Sequence, residues 1–272
     1  MKIQIRKNLD NNMVQITTTD ERWYQTSDGL FVPSVSWISG YYPKGVEFYK
    51  WLASKGWDEA QTLKSAGGIR GTKVHAAIEK LFKGEEVKMD DKFLNPQNGQ
   101  MEELTVEEYE CLMSFMAWYE QYVPEIIFVE KNVFCREYEY AGTADLVCIL
   151  RSKVNKDPIV YLIDFKTSQH IWPEYEIQLA AYRHAFLEAG ILIDKLAILQ
   201  LNFKKNQNKY KFTEISDDFD TFLAAKQIWK KQAGKQQPHQ KDYPLSLKIE
   251  GLVYSEYDTG LKEEEITESE QK

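Results

Sequence analysis

The apolar positions change their period near Pro124. Before it they recur mostly at helical spacing, and after it they gather into short strand-like runs divided by polar turns. Val46 to Lys55 and Asp58 to Ala66 read as two short helices, with Gly67-Gly68 expected to break the second. Gly71 to Lys83 forms a third helix that stops at Gly84. Lys88 to Met101 shows no period and reads as an exposed loop. Thr105-Val106-Glu107-Glu108 is a capping box opening a long amphipathic helix to Tyr122, with Pro124 as its stop. At the amino-terminal end, Met13 to Thr19 alternates weakly like a strand. Asp28-Gly29 then signals a turn, and Leu30-Phe31-Val32 runs into Pro33-Ser34-Val35.

The second half predicts a sheet. Ile126 to Arg136 gives one or two strands, and Ala144 to Leu150 with Ile159 to Phe165 a hairpin around the polar turn Arg151 to Pro158. A helix over Glu174 to Ala189 precedes a strand over Lys195 to Phe203. A basic loop, Lys204 to Lys209, leads to a strand over Lys211 to Ile215 and a last helix over Asp217 to Lys231. Neither a repeat nor a Gly/Pro-rich linker separates the halves. The expectation is one α/β domain over residues 1–254, its helical portion (about 37–123) inserted against a sheet core (about 126–232). A disordered acidic tail is expected over 255–272.

Composition narrows the class. A chain of 272 residues with 43% hydrophobic and 13% aromatic content can bury a sizeable core. There is no apolar run near the ~20 residues of a membrane span, and Met1 to Lys7 lacks an apolar leader. Cys111, Cys135 and Cys148 are odd in number without a CxxC spacing, which disfavours a disulfide framework, a zinc ribbon or an iron–sulfur cluster. A reducing cytoplasm is the expected location. The formal charge of −8 is uneven: from Gly251 onward seven acids face two lysines, leaving −3 on the rest. A net charge so distributed neither supports nor excludes a nucleic-acid partner.

The candidate chemistry lies in the sheet half. Asp145 begins the run Leu146 to Leu150, and Asp164 ends the run Ile159 to Ile163, so each carboxylate marks the tip of a strand. Period 2 puts Asp164 and Lys166 on one side of the chain and Phe165 on the other. Two acids and an amine converging on one point suit a divalent cation and a phosphodiester. Gly71-Thr72-Lys73-Val74-His75 adds a histidine early in a helix, Glu130 lies in the preceding strand, and Gln178 and Tyr182 sit one helical turn apart. Arg70 and Lys73 flank Gly71 and are expected on phosphates, as are Lys204, Lys205 and Lys209. For Tyr41-Tyr42, Phe48-Tyr49, Trp51 and Trp57, packing in the core is the favoured reading. Base stacking along a threaded single strand is the other, with Lys44, Lys50, Lys55 and Arg70 on its phosphates.

In order, Gly71…His75, Gly142…Asp145, Asp164…Lys166 and Gln178…Tyr182 resemble the GxxxH, GxxD, DxK and QxxxY signature of the PD-(D/E)xK nuclease superfamily, RecB-like branch. Pro33-Ser34-Val35, Arg70 to His75 and Ile163 to Ser168 are similar to phage and bacterial exonucleases related to the mitochondrial genome-maintenance exonuclease. The resemblance implies a restriction-endonuclease-like core, a central mixed β-sheet flanked by helices. It implies hydrolysis of DNA with Mg²⁺ or Mn²⁺, most simply by an exonuclease on single-stranded or end-processed DNA in recombination, repair or replication. The setting would be bacterial or phage-encoded, with a recombination or single-strand-binding protein as partner. In that reading Asp145, Asp164 and the Phe165 carbonyl hold the metal, and His75 adds a nitrogen. Glu130 holds a second metal or a metal-bound water. Lys166 orients or deprotonates water, or stabilises the transition state as a cation. Gln178 and Tyr182 brace the strand or touch the nucleic acid. A structure-selective endonuclease, or a DNA-binding protein that kept the fold without catalysis, are the rival expectations.

Overall fold

The computed structural model describes residues 5–9, 12–18, 21–151 and 157–234, with 238 and 249 as single positions. The chain opens with an antiparallel sheet in chain order: β1 (Ile5–Asn8), β2 (Val14–Thr17), β3 (Arg22–Gln25) and β4 (Phe31–Pro33). The helical part follows as α1 (Val35–Ser39), α2 (Val46–Lys55), α3 (Trp57–Phe82) and α4 (Val106–Tyr122). A small hairpin, β5 (Lys92–Leu94) and β6 (Met101–Glu103), lies between α3 and α4. The main sheet is built from β7 (Glu125–Cys135), β8 (Tyr140–Arg151), β9 (Pro158–Lys166), β10 (Lys195–Leu201) and β11 (Tyr210–Ile215). Two helices complete the chain: α5 (Pro173–Glu188) crosses from β9 to β10, and α6 (Phe219–Gln232) follows β11.

The main sheet runs β11-β10-β9-β8-β7. Its one parallel pair is β9/β10, and the other three pairs are antiparallel. The fold is therefore α/β around a mixed five-stranded sheet. Helices cover both faces, which is why β9 and β10 read as continuous apolar runs. Along β9 the burial alternates: Leu162 joins the core beneath α5 and α6, whereas Tyr161, Ile163 and Phe165 join the core beneath α3 and α4. Described residues up to Pro238 pack as one unit. Among the described residues no helix is long and apolar enough to cross a membrane. The acidic tail expected over 255–272 lies outside them.

Several expectations are corrected. Gly67-Gly68 does not break a helix; α3 runs unbroken for 26 residues. Each glycine costs about 1 kcal/mol in a helix interior, but Val74, Ala77 and Ile78 anchor the far half by burial. Asp58 and Glu59 in the first turn favour the near half through the helix dipole. The expected loop over Lys88 to Met101 contains β5 and leads into β6, because Phe93 inserts into the α3/α4 core and pins the hairpin. Core packing of the aromatic stretch holds for Tyr41 and Tyr42 but fails beyond them. No residue of α2 is buried, and Tyr49 and Trp57 are exposed at 57% and 67%. Lys44, Lys50 and Lys55 are each paired internally, with Glu174, Glu47 and Glu59.

The capping box forms as expected. Thr105 Oγ1 accepts from the Glu108 N–H, and the Thr105 N–H donates to Glu108 Oε2 at 2.8 Å. The same Glu108 oxygen meets Lys73 Nζ at 2.7 Å, with both side chains almost fully buried. Lys73 Nζ also donates to the Glu103 carbonyl at 2.6 Å. Lys73 is thus withdrawn from any phosphate, contrary to expectation, and instead joins α3 to α4 and β6. A buried pair loses about 3–5 kcal/mol when one partner is removed, whereas replacing both by apolar groups is close to neutral. Glu108→Leu should therefore lower the urea midpoint strongly, and Lys73→Met/Glu108→Leu should recover most of the loss beyond the lost cap. A double variant no more stable than the single would contradict this account of the pair.

Candidate active site

The site arises where the strands of the main sheet lose their shared register. The last β8/β9 pair before the tip is Leu146↔Ile163, so Asp145 and Asp164 are the next residues on each strand. Ladder pairing does not continue past them. Instead the Asp145 side chain takes over, its Oδ2 accepting from the Phe165 N–H at 2.7 Å. On the other flank, Val129↔Leu146 and Lys131↔Ala144 bracket Glu130 and Asp145, setting the two acids across from one another. Glu130 adopts φ +46°, a left-handed conformation unusual for a residue with a Cβ. Such local strain concentrates at functional positions.

His75 enters from α3. Its Nε2 donates to the Phe165 carbonyl at 3.1 Å, which turns Nδ1 toward the acids. Nδ1 lies 3.4 Å from both Glu130 Oε1 and Asp145 Oδ1. Donor atoms of His75, Glu130 and Asp145 all fall within 4.8 Å of each other, a grouping that could hold a metal ion. Burial works against the charged imidazole, yet Asp145 and Glu130 outweigh it and hold the ring well above its ordinary titration range. The acids respond unequally. Burial opposes the ionised form of Asp145, but His75, Lys166 and the Phe165 N–H overcome it and keep its carboxyl low. Burial dominates at Glu130 and raises it.

Asp164 lies outside that triad and belongs to a second arrangement built by α5. Lys166 Nζ stands 2.5 Å from Asp164 Oδ2, and Gln178 Nε2 donates to Asp164 Oδ1 at 3.2 Å. The ammonium approaches Oδ2 off the hydrogen-bonding direction, so this buried oxygen has an ion-pair partner but no aligned donor. Burial pushes Asp164 up to about 6, with Asp145 adding to the rise and Lys166 resisting it. For Lys166, burial is outweighed by Asp164 and Asp145, so its amine is raised and charged. Its ammonium also rests 4.6 Å from the Tyr175 ring centroid. Tyr175 was not among the expected site residues, although it sits one turn before Gln178 on the same helix.

Gln178 also donates to the Tyr182 hydroxyl at 3.1 Å, so both expected α5 residues reach the site. Tyr182 explains Gly142: a Cβ there would lie 2.4 Å from Tyr182 Cε1. Gly142, three positions before Asp145, is thus a seat for the ring, and no equivalent crowding exists at Gly71. The Thr143 hydroxyl donates to Asn132 Oδ1 at 2.9 Å and lies 3.3 Å from the Tyr24 hydroxyl, tying the amino-terminal sheet to β8 two residues before Asp145.

The remaining expected cations divide. Arg70 contacts Glu107 at 3.1 Å and donates to the Thr167 carbonyl at 3.3 Å, just beyond Lys166. Lys204 is exposed and 3.9 Å from Glu107, and Lys209 pairs with Glu110 at 3.0 Å. Lys205 is exposed on the same turn. These side chains and the acids Glu107 and Glu110 form a rim of mixed charge, and Lys73 is not part of it. No family model matches the chain, and no curated protein matches it.

The Tyr182 seat gives a test independent of activity. Gly142→Ala should cost about 1–3 kcal/mol through overpacking, read as a lowered urea midpoint. In a Tyr182→Ala background the same change should cost much less. Equal losses in both backgrounds would show that the ring is not what excludes the side chain.

Proposed function

We propose that the chain is a metal-dependent nuclease of the PD-(D/E)xK kind, hydrolysing DNA phosphodiesters. The observation that carries this is the union of two groups at one sheet end: the His75, Glu130 and Asp145 donors, and the Asp164–Lys166 pair one strand over. A mixed sheet covered by helices on both faces is compatible with a restriction-endonuclease-like core. The donor chemistry fits a small divalent cation. Two carboxylates forced together, with a third whose buried oxygen lacks an aligned donor, favour an added positive charge. An oxygen-rich set suits Mg²⁺, and the imidazole shifts preference toward Mn²⁺. His75, Glu130 and Asp145 would hold the ion, with Asp164 and the Phe165 carbonyl adjoining. A bound ion of this kind supplies Lewis acidity and lowers the pKa of a coordinated water.

The residues of the chain do the rest. Lys166 is kept charged by Asp164 and Asp145, so its part is to stabilise negative charge developing on the phosphate rather than to act as base. Gln178 fixes the Asp164 carboxylate, and Tyr175 and Tyr182 confine the two ends of that arrangement. His75 fixes the Phe165 carbonyl and, through it, the turn of chain that carries Lys166. Arg70, Lys204, Lys205 and Lys209 would take the phosphates of a strand leaving the site, exchanging their contacts with Glu107 and Glu110. Single-stranded or free-ended DNA, exonucleolytic cutting, a cytoplasmic setting and a recombination or single-strand-binding partner complete the reading.

Time courses on end-labelled single- and double-stranded DNA test it. Cleavage should require Mg²⁺ or Mn²⁺ and stop in EDTA. Asp145→Asn, Asp164→Ala and Lys166→Met should each slow it by at least ~10²-fold, in line with the loss of a charge-stabilising group. Activity persisting in EDTA, or an Asp164→Ala protein as fast as the unmodified one, would refute the proposal. Circular substrates separate exonuclease from endonuclease.

The rim makes a separate expectation. If Lys204, Lys205 and Lys209 meet phosphates, replacing all three by Ala should flatten the plot of log binding constant against log salt. The expected change is about 0.7 per lysine for single strands. An unchanged slope would remove the rim from the binding surface.

A further inference from the structure

A cavity of about 310 Å³ opens beside Glu130, between β1, the last turn of α3 and β7; His75 and Asp145 are not among its lining residues. Glu130 lines it while its Oε1 faces the imidazole, so cavity and donor cluster share one side chain. We propose that this cavity is the subsite for the nucleotide unit adjoining the scissile phosphate, and that it binds a free mononucleotide. The inference rests on the nuclease reading for its place in a reaction, but its walls can be judged on their own.

Those walls offer the contacts that a nucleotide needs. Phe82 lines it with a half-buried ring, held by edge contacts with Phe115 at 5.4 Å and Tyr119 at 6.2 Å. A ring held this way can stack on any base. Asn132 has its carbonyl oxygen occupied by the Thr143 hydroxyl, which leaves its amide N–H₂ for an acceptor on a base or sugar. Asn8 adds a second amide from β1. Lys7 and Lys83 supply ammonium groups, and Lys83 is held at 2.7 Å by Glu79, which also lines the cavity. Two amines balance two carboxylates here, so the lining is neutral before any cation joins the cluster. The volume is at the small end of the roughly 300–1,000 Å³ typical of ligand pockets, suited to one nucleotide rather than two.

The shape of Glu130 fits this placement. Glu130, held at a left-handed φ of +46° within β7, borders both the donor cluster and the cavity. Amides and a ring also recognise bases without a sequence code. Adenine, cytosine, guanine and thymine nucleotides should therefore bind within a few-fold of each other.

The test is calorimetric titration of the full chain with 5′-dAMP and 3′-dAMP, beside deoxyadenosine and inorganic phosphate as separate halves of the ligand. At least one nucleotide should bind five-fold or more tightly than either half. Lys7→Ala and Asn8→Ala, both at exposed positions of β1, should each weaken that binding at least three-fold, with unfolding midpoints unchanged. Nucleotides binding no better than phosphate alone, or with affinity indifferent to both substitutions, overturn the inference. DNA cleavage measured on the same protein separates the two ideas. Cleavage without mononucleotide binding removes the subsite and leaves the nuclease. Binding sensitive to Lys7 and Asn8 without cleavage keeps a nucleotide site and removes the nuclease.

Discussion

Three carboxylates crowd the place where β9 leaves the paired strands β7 and β8, and the rest of the architecture answers that crowding. Glu130 and Asp145 stand across from one another on adjacent strands, an arrangement that is destabilising for like charges. Asp164, 2% exposed at its side chain, adds a third acid in low-dielectric surroundings. Uncompensated, buried charges cost several kcal/mol each. The chain supplies two cations of its own from opposite sides, His75 from α3 and Lys166 from β9. Both are held charged by the acids they serve.

Delivering those cations needs rigid supports. Lys73 and His75 are two residues apart, about 200° around a helix. One side of that turn is consequently locked to α4 through the Lys73–Glu108 pair while the other presents the imidazole to the acids. Across the sheet, α5 is seated by the Tyr182 ring over Gly142, and it carries Gln178 and Tyr175 to the second arrangement. A capping box thus fixes a catalytic candidate indirectly. Glu108 closes the first turn of α4 and, with the same oxygen, neutralises the amine beside His75 in sequence.

Much of this was legible in the residues. The end of β9 near Asp164, the opposite sides of Asp164 and Phe165, the capping box and the Gln178/Tyr182 pair all follow from local period and spacing, and all are found. The strand tip expected at Asp145 is not: β8 starts at Tyr140 and pairs with β7 on both sides of Asp145, so that residue lies inside the strand. What was not legible depends on burial and on long-range packing. Nothing local marks Lys73 as an interior residue, since its partner Glu108 is 35 positions away. Gly67-Gly68 carries a strong breaker signal that continuous helical hydrogen bonding on an anchored half overrides. Phe93 and the exposed Leu94 are the only apolar residues of β5, too few to show a period. The exposed rings of α2 invert the ordinary preference of aromatics for the core, so composition pointed inward where the fold points outward. Tyr175 could have been found, because one more step of helical spacing back from Gln178 reaches it.

The two aspartates, alike in sequence, are pushed apart by their surroundings. Asp145 is surrounded by donors: a backbone N–H, an imidazolium and, further off, the Lys166 ammonium. It is ionised throughout the neutral range and can act as a permanent anchor. Asp164 has one amide and one imperfectly directed ion pair to set against complete burial, and its carboxyl rises to about 6. At neutral pH it is ionised by a narrower margin than Asp145, and further positive charge beside it would widen that margin. Paired acids separated in this way commonly divide their roles. On the nuclease reading, Asp145 would define where the cation sits, and Asp164 would be the group whose state reports that it has come. On the same reading Lys166, 2.5 Å from Asp164, would stand between that carboxylate and the phosphate. It would be partly released when another cation takes over that carboxylate, and so be free to turn toward a phosphate.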